Sequence, residues 1–401
     1  MAYVPGSLPH TTLLAAIGGV VALSVDIVLP ALPVLADAFA TRPERAQLTL
    51  GAFLLGLAIG ILVWGPLGDR FGRRPVVLCG LVVFTIGGAI TAVSPSIDAI
   101  IFARFIQGAG AAAGRVLAPA IIRDDFSGPR GAHLLSRMMM ILTLGPLVAP
   151  LIGGALIETA GWRAIFVFLA AFGAVVVILA WAQLGESLRM PDRDALLPRR
   201  ILANWRRFFG TRECVANAFI QTCSFGAMYA YISGSPFVLI RGFGIPTWAY
   251  GFFFASTAGL LILGNAVNSR TVRTRGVAAN RRAGTFAAAG AGVLGLGLSA
   301  LGLTGTLGVA ATMLPVWIFI CANGVIVPNT TAGVMEPHPD MAGVSAAILG
   351  VIQMSAAMIV GYAVTRFFDG TPLSMSFAMC ILTLGALTIE RTALAPRPVA
   401  G

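Results

Sequence analysis

The sequence predicts an all-α membrane protein, with twelve transmembrane helices in two six-helix halves. Three observations predict it. Hydrophobic residues make up 57% of the 401 positions and charged residues only 11%, whereas an average soluble domain is about one-quarter charged. Charge-free apolar runs recur along the chain, and most reach the ~20 residues that a spanning helix needs. The longest polar break, near 185–213, falls midway. With a mean hydropathy of +0.89, these features exclude an ordinary soluble enzyme, a disordered chain and a coiled coil. The runs are continuous rather than alternating, which excludes a barrel of strands.

In order, the first six spans fall near 12–36, 46–67, 76–94, 98–120, 138–158 and 163–184. The second six fall near 214–238, 248–268, 283–303, 308–331, 342–366 and 373–391. The stretch 283–335 carries no charge and is long enough for two helices, with Thr304-Gly305-Thr306 as the expected turn. The chain thus divides into a six-helix bundle over 1–184, a cytoplasmic linker over 185–213 and a second bundle over 214–401. The first apolar run lacks a basic leader and a cleavage site, so it reads as a retained span.

All 27 cationic residues are arginine; against 16 acids they give a net charge of +11. In a soluble protein this balance would suggest nucleic acid. With the N-terminus inside, twenty arginines fall in inner loops and the C-terminal tail and five in outer loops or span ends. That bias predicts cytoplasmic termini and a multi-pass protein of the cytoplasmic membrane. It also explains the charge without a nucleic-acid partner; the partners expected are the lipid bilayer and a small molecule. The five cysteines lie in or beside apolar runs without metal-ligand spacing, and His10, His133 and His338 are scattered outside those runs. No metal is expected.

Few charges remain within the spans. Asp26 is the only acid deep in an apolar run, in the string Asp26-Ile-Val-Leu-Pro30-Ala-Leu-Pro33. Arg104 opens Arg104-Phe-Ile-Gln107-Gly108 in span four, and Arg115 follows three turns later. A charge inside a span is costly and is expected to face a polar cavity or a partner, or to reach toward the interface. At 1.5 Å per residue, Asp26 sits ~21 Å along span one and Arg104 ~9 Å into span four from the other side. Both then lie at a similar depth.

Three further strings carry information. Gly65-Pro-Leu-Gly-Asp69-Arg70-Phe-Gly72-Arg73-Arg74-Pro75 occupies the tight loop after span two. Asp69 can accept charge-assisted hydrogen bonds there, and Gly72 permits the turn. A weaker echo, Gly264, Asn268 and Arg273 to Gly276, is expected after span eight, with Gly264 and Asn268 each 199 residues beyond Gly65 and Asp69. Span five contains Gly145-Pro146 and Pro150, followed by Gly153-Gly154, a density of prolines and glycines that bends or loosens a helix.

These strings resemble a known family. The loop after span two is similar to the loop-2/3 signature of the major facilitator superfamily, Arg104 to Gly108 resembles its R-x-x-Q-G motif, and span five resembles the motif of its exporters and antiporters. The Asp26 string resembles that of the drug:proton antiporter group, Bcr/CflA-type multidrug efflux transporters. Arg123-Asp124, Gly161-Trp162-Arg163-Ala-Ile-Phe166 and Ser235-Pro236-Phe237-Val-Leu-Ile extend the likeness. It departs at Pro119, where that group tends to have arginine; Arg115, one turn earlier, is the candidate replacement.

The resemblance implies the major facilitator fold and efflux of drugs or small amphipathic organic compounds by antiport, with alternating access around a central cavity beside helices one and four. A carboxylic acid out of water holds its proton more tightly, and a nearby arginine opposes this. Asp26 is therefore the expected proton-coupling acid and Arg104 its modulator, unless Asp26 only caps or bonds locally near Pro30. Gly65, Asp69, Arg70, Gly72, Arg73 and Arg74 form the expected gating motif; Gly145, Pro146, Pro150, Gly153 and Gly154 form the antiporter motif. Arg115, Gln107, Asn217, Gln221, Tyr229, Tyr231, Asn323 and Gln353 are candidates for the substrate cavity, although helix–helix hydrogen bonding suits the amides equally well. No cofactor is expected; a proton gradient supplies the energy, and a monomer suffices. A proton-coupled carrier of a small metabolite such as an amino acid is the alternative. A membrane-embedded enzyme is remote, because no catalytic constellation lies at one depth.

Overall fold

The computed structural model describes residues 6–394. The first unit holds α1 (Leu8–Asp26), α2 (Ala31–Ala38), α3 (Pro43–Phe71), α4 (Arg73–Val93), α5 (Ile97–Asp125), α6 (Gly128–Ala160) and α7 (Trp162–Gln183). After α8 (Pro198–Gly210) come α9 (Arg212–Pro236), which runs into a π-helical turn Phe237–Gly242, then α10 (Thr247–Arg275), α11 (Val277–Ala300), α12 (Leu303–Met335), α13 (Ala342–Arg366) and α14 (Leu373–Ala393). Twelve of these helices are long and apolar enough to cross a membrane; α2 and α8 are not among them. The described residues form no strand.

The chain clusters into two compact units, Met1–Ile201 with Pro246–Ala255, and Leu202–Ile245 with Ser256–Gly401. In the first unit α5 packs against α1, α3 and α4. Glycine makes this possible. A Cβ on Gly56 of α3 would stand 2.1 Å from the Phe105 carbonyl oxygen of α5, and one on Gly108 of α5 would stand 2.0 Å from that of Phe53 on α3. The second unit repeats the device. Gly264 of α10 faces the Cys321 carbonyl of α12 at 2.1 Å, and Gly324 of α12 faces that of Leu261 at 2.6 Å. Small residues at such crossings let helix backbones touch in lipid, where burial supplies no drive to pack.

Several expectations are corrected. Span one is not one helix. α1 ends at Asp26, residues 27–30 form a turn, and α2 starts at Ala31. Pro30 has no N–H to continue the ladder and disfavours helical geometry before it. The turn closes instead through short-range bonds, Leu29 N to Asp26 O at 3.3 Å and Ala31 N to Val28 O at 2.9 Å. Because α1 begins at Leu8 rather than near 12, Asp26 lies about 27 Å along it at helical rise. The turn in the charge-free stretch 283–335 lies at Leu301-Gly302, not at 304–306, with Gly302 at φ +69°; a kink follows at Gly308. α1 and α6 also start earlier than the apolar runs expected at 12 and 138, and so take in His10 and His133.

Part of the linker is ordered as α8, an amphipathic helix. Before it, the Asp192 amide donates to the Asp69 carbonyl at 2.9 Å. Hydrogen bonds from the Arg200 guanidinium and the Asp194 amide hold the Asp192 carboxyl below its usual range.

Candidate functional site

Asp26 sits at the break between α1 and α2, 6% exposed. The turn that follows is lined by Ile27, Val28 and Leu29, each fully buried. Irregular backbone at membrane depth is tolerated where protein covers it, and the first unit covers it here with α6. A Cβ on Gly153 would lie 2.2 Å from the Ile27 carbonyl oxygen and 3.2 Å from Pro30, while Gly145 stands 3.6 Å from the Ala22 methyl by the same measure. The span-five string is therefore the surface on which the Asp26 break rests. Gly154 leaves room for Thr247 and Trp248. Pro146 and Pro150 lie inside α6, where each lacks a ladder donor. Among the described residues, no ion pair or side-chain hydrogen bond reaches the Asp26 carboxyl.

Arg104 is fully buried. Its guanidinium donates to the Gln107 Oε1 at 2.7 Å, to the Ser24 carbonyl at 3.0 Å and to the Thr49 carbonyl at 3.4 Å. It lies 4.3 Å from the Phe53 ring centroid and 5.9 Å from that of Phe166, both within cation–π range. Four helices, α1, α3, α5 and α7, thus meet on one cation. It does not reach toward the interface as a snorkelling side chain would. It reaches α1 at Ser24, two residues before Asp26, and touches the backbone rather than the acid. Arg115 is exposed on α5.

The expected loop over 65–75 is mostly helix: Gly65 to Phe71 end α3, Arg73 to Pro75 open α4, and Gly72 alone separates them. A second cluster forms at this junction. The Arg73 guanidinium bridges Asp69 at 2.6 Å and Asp124 at 2.8 Å. Gly72 holds φ at +104°, and a Cβ there would stand 2.6 Å from the Glu186 carboxylate. Glu186 accepts from the Arg73 amide at 2.9 Å, the Arg74 amide at 3.2 Å and the Leu188 amide at 2.9 Å. A carboxylate thereby caps the start of α4, where the orphan N–H groups and helix dipole favour negative charge. The Arg74 side chain binds the Trp181 carbonyl at 2.8 Å, and Arg70 lies over Phe71. Gly65 only brushes Val116. Glu186 was missed as a functional residue because its partners at the start of α4, Arg73 and Arg74, lie more than 110 positions away in sequence.

The second unit places the sequence echo differently. Gly264 and Asn268 lie within α10, not after it. The positional counterpart of Gly72 is Gly276, at φ +79° between α10 and α11. Asn268 accepts from Asn280 at 3.0 Å and from Asn329 at 2.7 Å. Charge appears instead nearby in sequence: Arg281 forms a buried pair with Glu390 at 2.7 Å and donates to Asn217 at 3.2 Å. Glu390 is 1% exposed and also meets Arg282 at 3.5 Å. A lone acid in the last turn of the last span was its sequence signal.

The remaining cavity candidates are all in the second unit and mostly bind neighbours. Asn217 is held by Arg281 and the Glu213 carbonyl. Gln221 exchanges hydrogen bonds with Thr331 at 3.0 and 3.3 Å. Tyr229 packs on Phe225, and Tyr231 is 1% exposed. Asn323 donates to the Met228 sulfur at 3.6 Å while its Oδ1 is buried without a partner. Gln353 is 7% exposed.

Comparison with known proteins agrees with this architecture. The family described as Major Facilitator Superfamily matches residues 14–362. The chain is 31% identical to the bicyclomycin resistance protein homolog of Haemophilus influenzae over 88% of each chain. It is 27% identical to multidrug resistance protein D of Escherichia coli, covering 85% of this chain and 84% of that one. In fold it matches a crystal structure of a D-xylose-proton symporter with a TM-score of 0.73 at 18% identity, over 96% of this chain and 97% of the other. With twelve spans, the loop cluster around Arg73 and a profile match across most of its length, the chain belongs to the Major Facilitator Superfamily.

Proposed function

We propose that the protein exports drugs or small amphipathic organic compounds across the cytoplasmic membrane in exchange for protons, by alternating access. The observation that carries this reading is Asp26: a buried carboxyl that no ion pair or side-chain hydrogen bond reaches among the described residues, at a helix break whose backbone rests on Gly153 of the antiporter string. An unpaired buried carboxylate costs several kcal/mol, and a proton removes the charge. Such a group couples protonation to the geometry of the helix break it terminates. Arg104 holds α1 two residues away and so positions Asp26. The names of the relatives, for resistance to bicyclomycin and to multiple drugs, supply the substrate class. The proton gradient serves as energy source, the protein acts as a monomer, and the arginine-rich loops and both termini face the cytoplasm.

The test is expression in a drug-hypersensitive host that lacks its own pumps, with and without a protonophore. The parent chain raises resistance, and the protonophore removes it. Asp26→Asn reaches the same abundance yet gives the resistance of an empty vector. Export by that variant at the parent rate overturns the role of Asp26. Accumulation of a metabolite without any drug resistance overturns the substrate class.

A further inference from the structure

α8 separates its residues cleanly. At ~100° per residue, Ile201, Leu202, Trp205, Phe208 and Phe209 share one side, and Arg199, Arg200, Arg206 and Arg207 share the other. Phe208 and Trp205 pack into a core cluster with Cys214, Val334, Ile348 and Leu349. Leu202 and Phe209, at the edge of the apolar side, stay 52% and 47% exposed. Beneath Phe209, an open groove of about 340 Å³ is lined by Val215 and Phe219 of α9 and Ile389 of α14, with Arg212 at its rim. The Arg212 guanidinium is anchored to the Thr392 carbonyl at 3.2 Å.

The charges around this groove are uneven. On the far flank of α8, Arg200 and Arg207 are neutralised by Asp192 and Asp340. On the near flank, Arg206 is exposed and meets no acid among the described residues. Glu213 follows Arg212 but is rotated ~100° from the α9 face that holds Arg212, Val215 and Phe219. The groove thus pairs an apolar slot with one lining cation, Arg212, while Arg206 stands about 60° from Phe209 on the adjoining flank of α8, one turn back.

We infer that this groove is a binding site for an anionic phospholipid of the cytoplasmic leaflet: an acyl chain lies along Phe209, Val215, Phe219 and Ile389, and the phosphate is held by Arg206 and Arg212. The leaflet rests on the topology proposed above; binding itself does not. An amphipathic helix with arginines beside exposed apolar residues lies in the interfacial plane, and each basic side chain near an anionic surface adds roughly fivefold in affinity. The site ties the linker to lipid composition.

Trp205 reports on it, since its ring centroid is 6.0 Å from that of Phe209. The full-length protein is placed in nanodiscs, and fluorescence quenching is followed against brominated phosphatidylglycerol or brominated phosphatidylcholine, with Trp205→Phe as background. Brominated phosphatidylglycerol quenches Trp205 at a lower mole fraction than brominated phosphatidylcholine does. Arg206→Gln with Arg212→Gln moves the midpoint on the order of tenfold or more, and Arg200→Gln leaves it in place. Equal quenching by the two lipids overturns the site, independently of any variant. So does a double variant that titrates like the parent. Loss of quenching in millimolar inorganic phosphate at constant ionic strength identifies a phosphate site and overturns the lipid assignment. No arm of the experiment requires transport, so its failure and a failure of the efflux reading are separable.

Discussion

Arg104 of α5 donates to the carbonyl of Ser24 on α1 at 3.0 Å, two residues before the buried Asp26. The same guanidinium satisfies Gln107 and Thr49. A cation is therefore used to hold backbone in the last turn of the helix that carries the acid.

Arg104→Lys should fail despite keeping the charge. A lysine ammonium lacks the planar fork that serves three acceptors at once and stacks on Phe53. Each acceptor left unpaired in the core costs about 1–3 kcal/mol. The thermal midpoint of the detergent-solubilised protein should fall, and drug resistance should fall with it. An unchanged midpoint would show that the guanidinium geometry is dispensable.

Gly153 and Gly145 offer a matched pair in one helix. Gly153→Ala drives a methyl to 2.2 Å from the Ile27 oxygen, whereas Gly145→Ala meets Ala22 at an ordinary 3.6 Å. Overpacking typically costs about 1–3 kcal/mol. Resistance should collapse for Gly153→Ala and persist for Gly145→Ala, measured at equal abundance. Equal behaviour of the two would remove the packing argument.

Glu186→Ala should free the start of α4. Loss of a helix cap costs about 0.5–2 kcal/mol, and here three amides lose their acceptor. Hydrogen exchange should quicken at residues 73, 74 and 188, while α11 to α14 stay as protected as in the parent. Exchange that is unaltered at 73 and 74 would rule out the capping role.

Glu390→Gln should destabilise the second unit by about 3–5 kcal/mol, because it leaves Arg281 buried without its counter-charge. Replacing both members, Arg281→Met with Glu390→Leu, should recover much of the loss. Denaturant unfolding of the two variants beside the parent reads this directly, and a double variant worse than the single one would contradict it.

The helices were legible because continuous apolar length is a local property. The arginine loop and Arg104-to-Gly108 were legible for the same reason: each is a compact string. What was not legible depended on distant partners. Glu186 looked like one more linker charge until its fold brought it to residues 73 and 74. Glu390 gave only the trace of an acid in a final turn. The break after Asp26 was written in Pro30, yet periodicity alone ran a single span through it. The echo of Asp69 at Asn268 followed sequence spacing, whereas the turn glycines Gly72 and Gly276 follow helix ends.

The reciprocal crossings Gly56–Gly108 and Gly264–Gly324 have an evolutionary corollary. At each, the obstacle to a larger residue is a main-chain oxygen, which every amino acid carries. No substitution across the crossing can make room, so neither glycine has a compensating partner to change with it. Such positions are expected to stay fixed while the side chains around them drift.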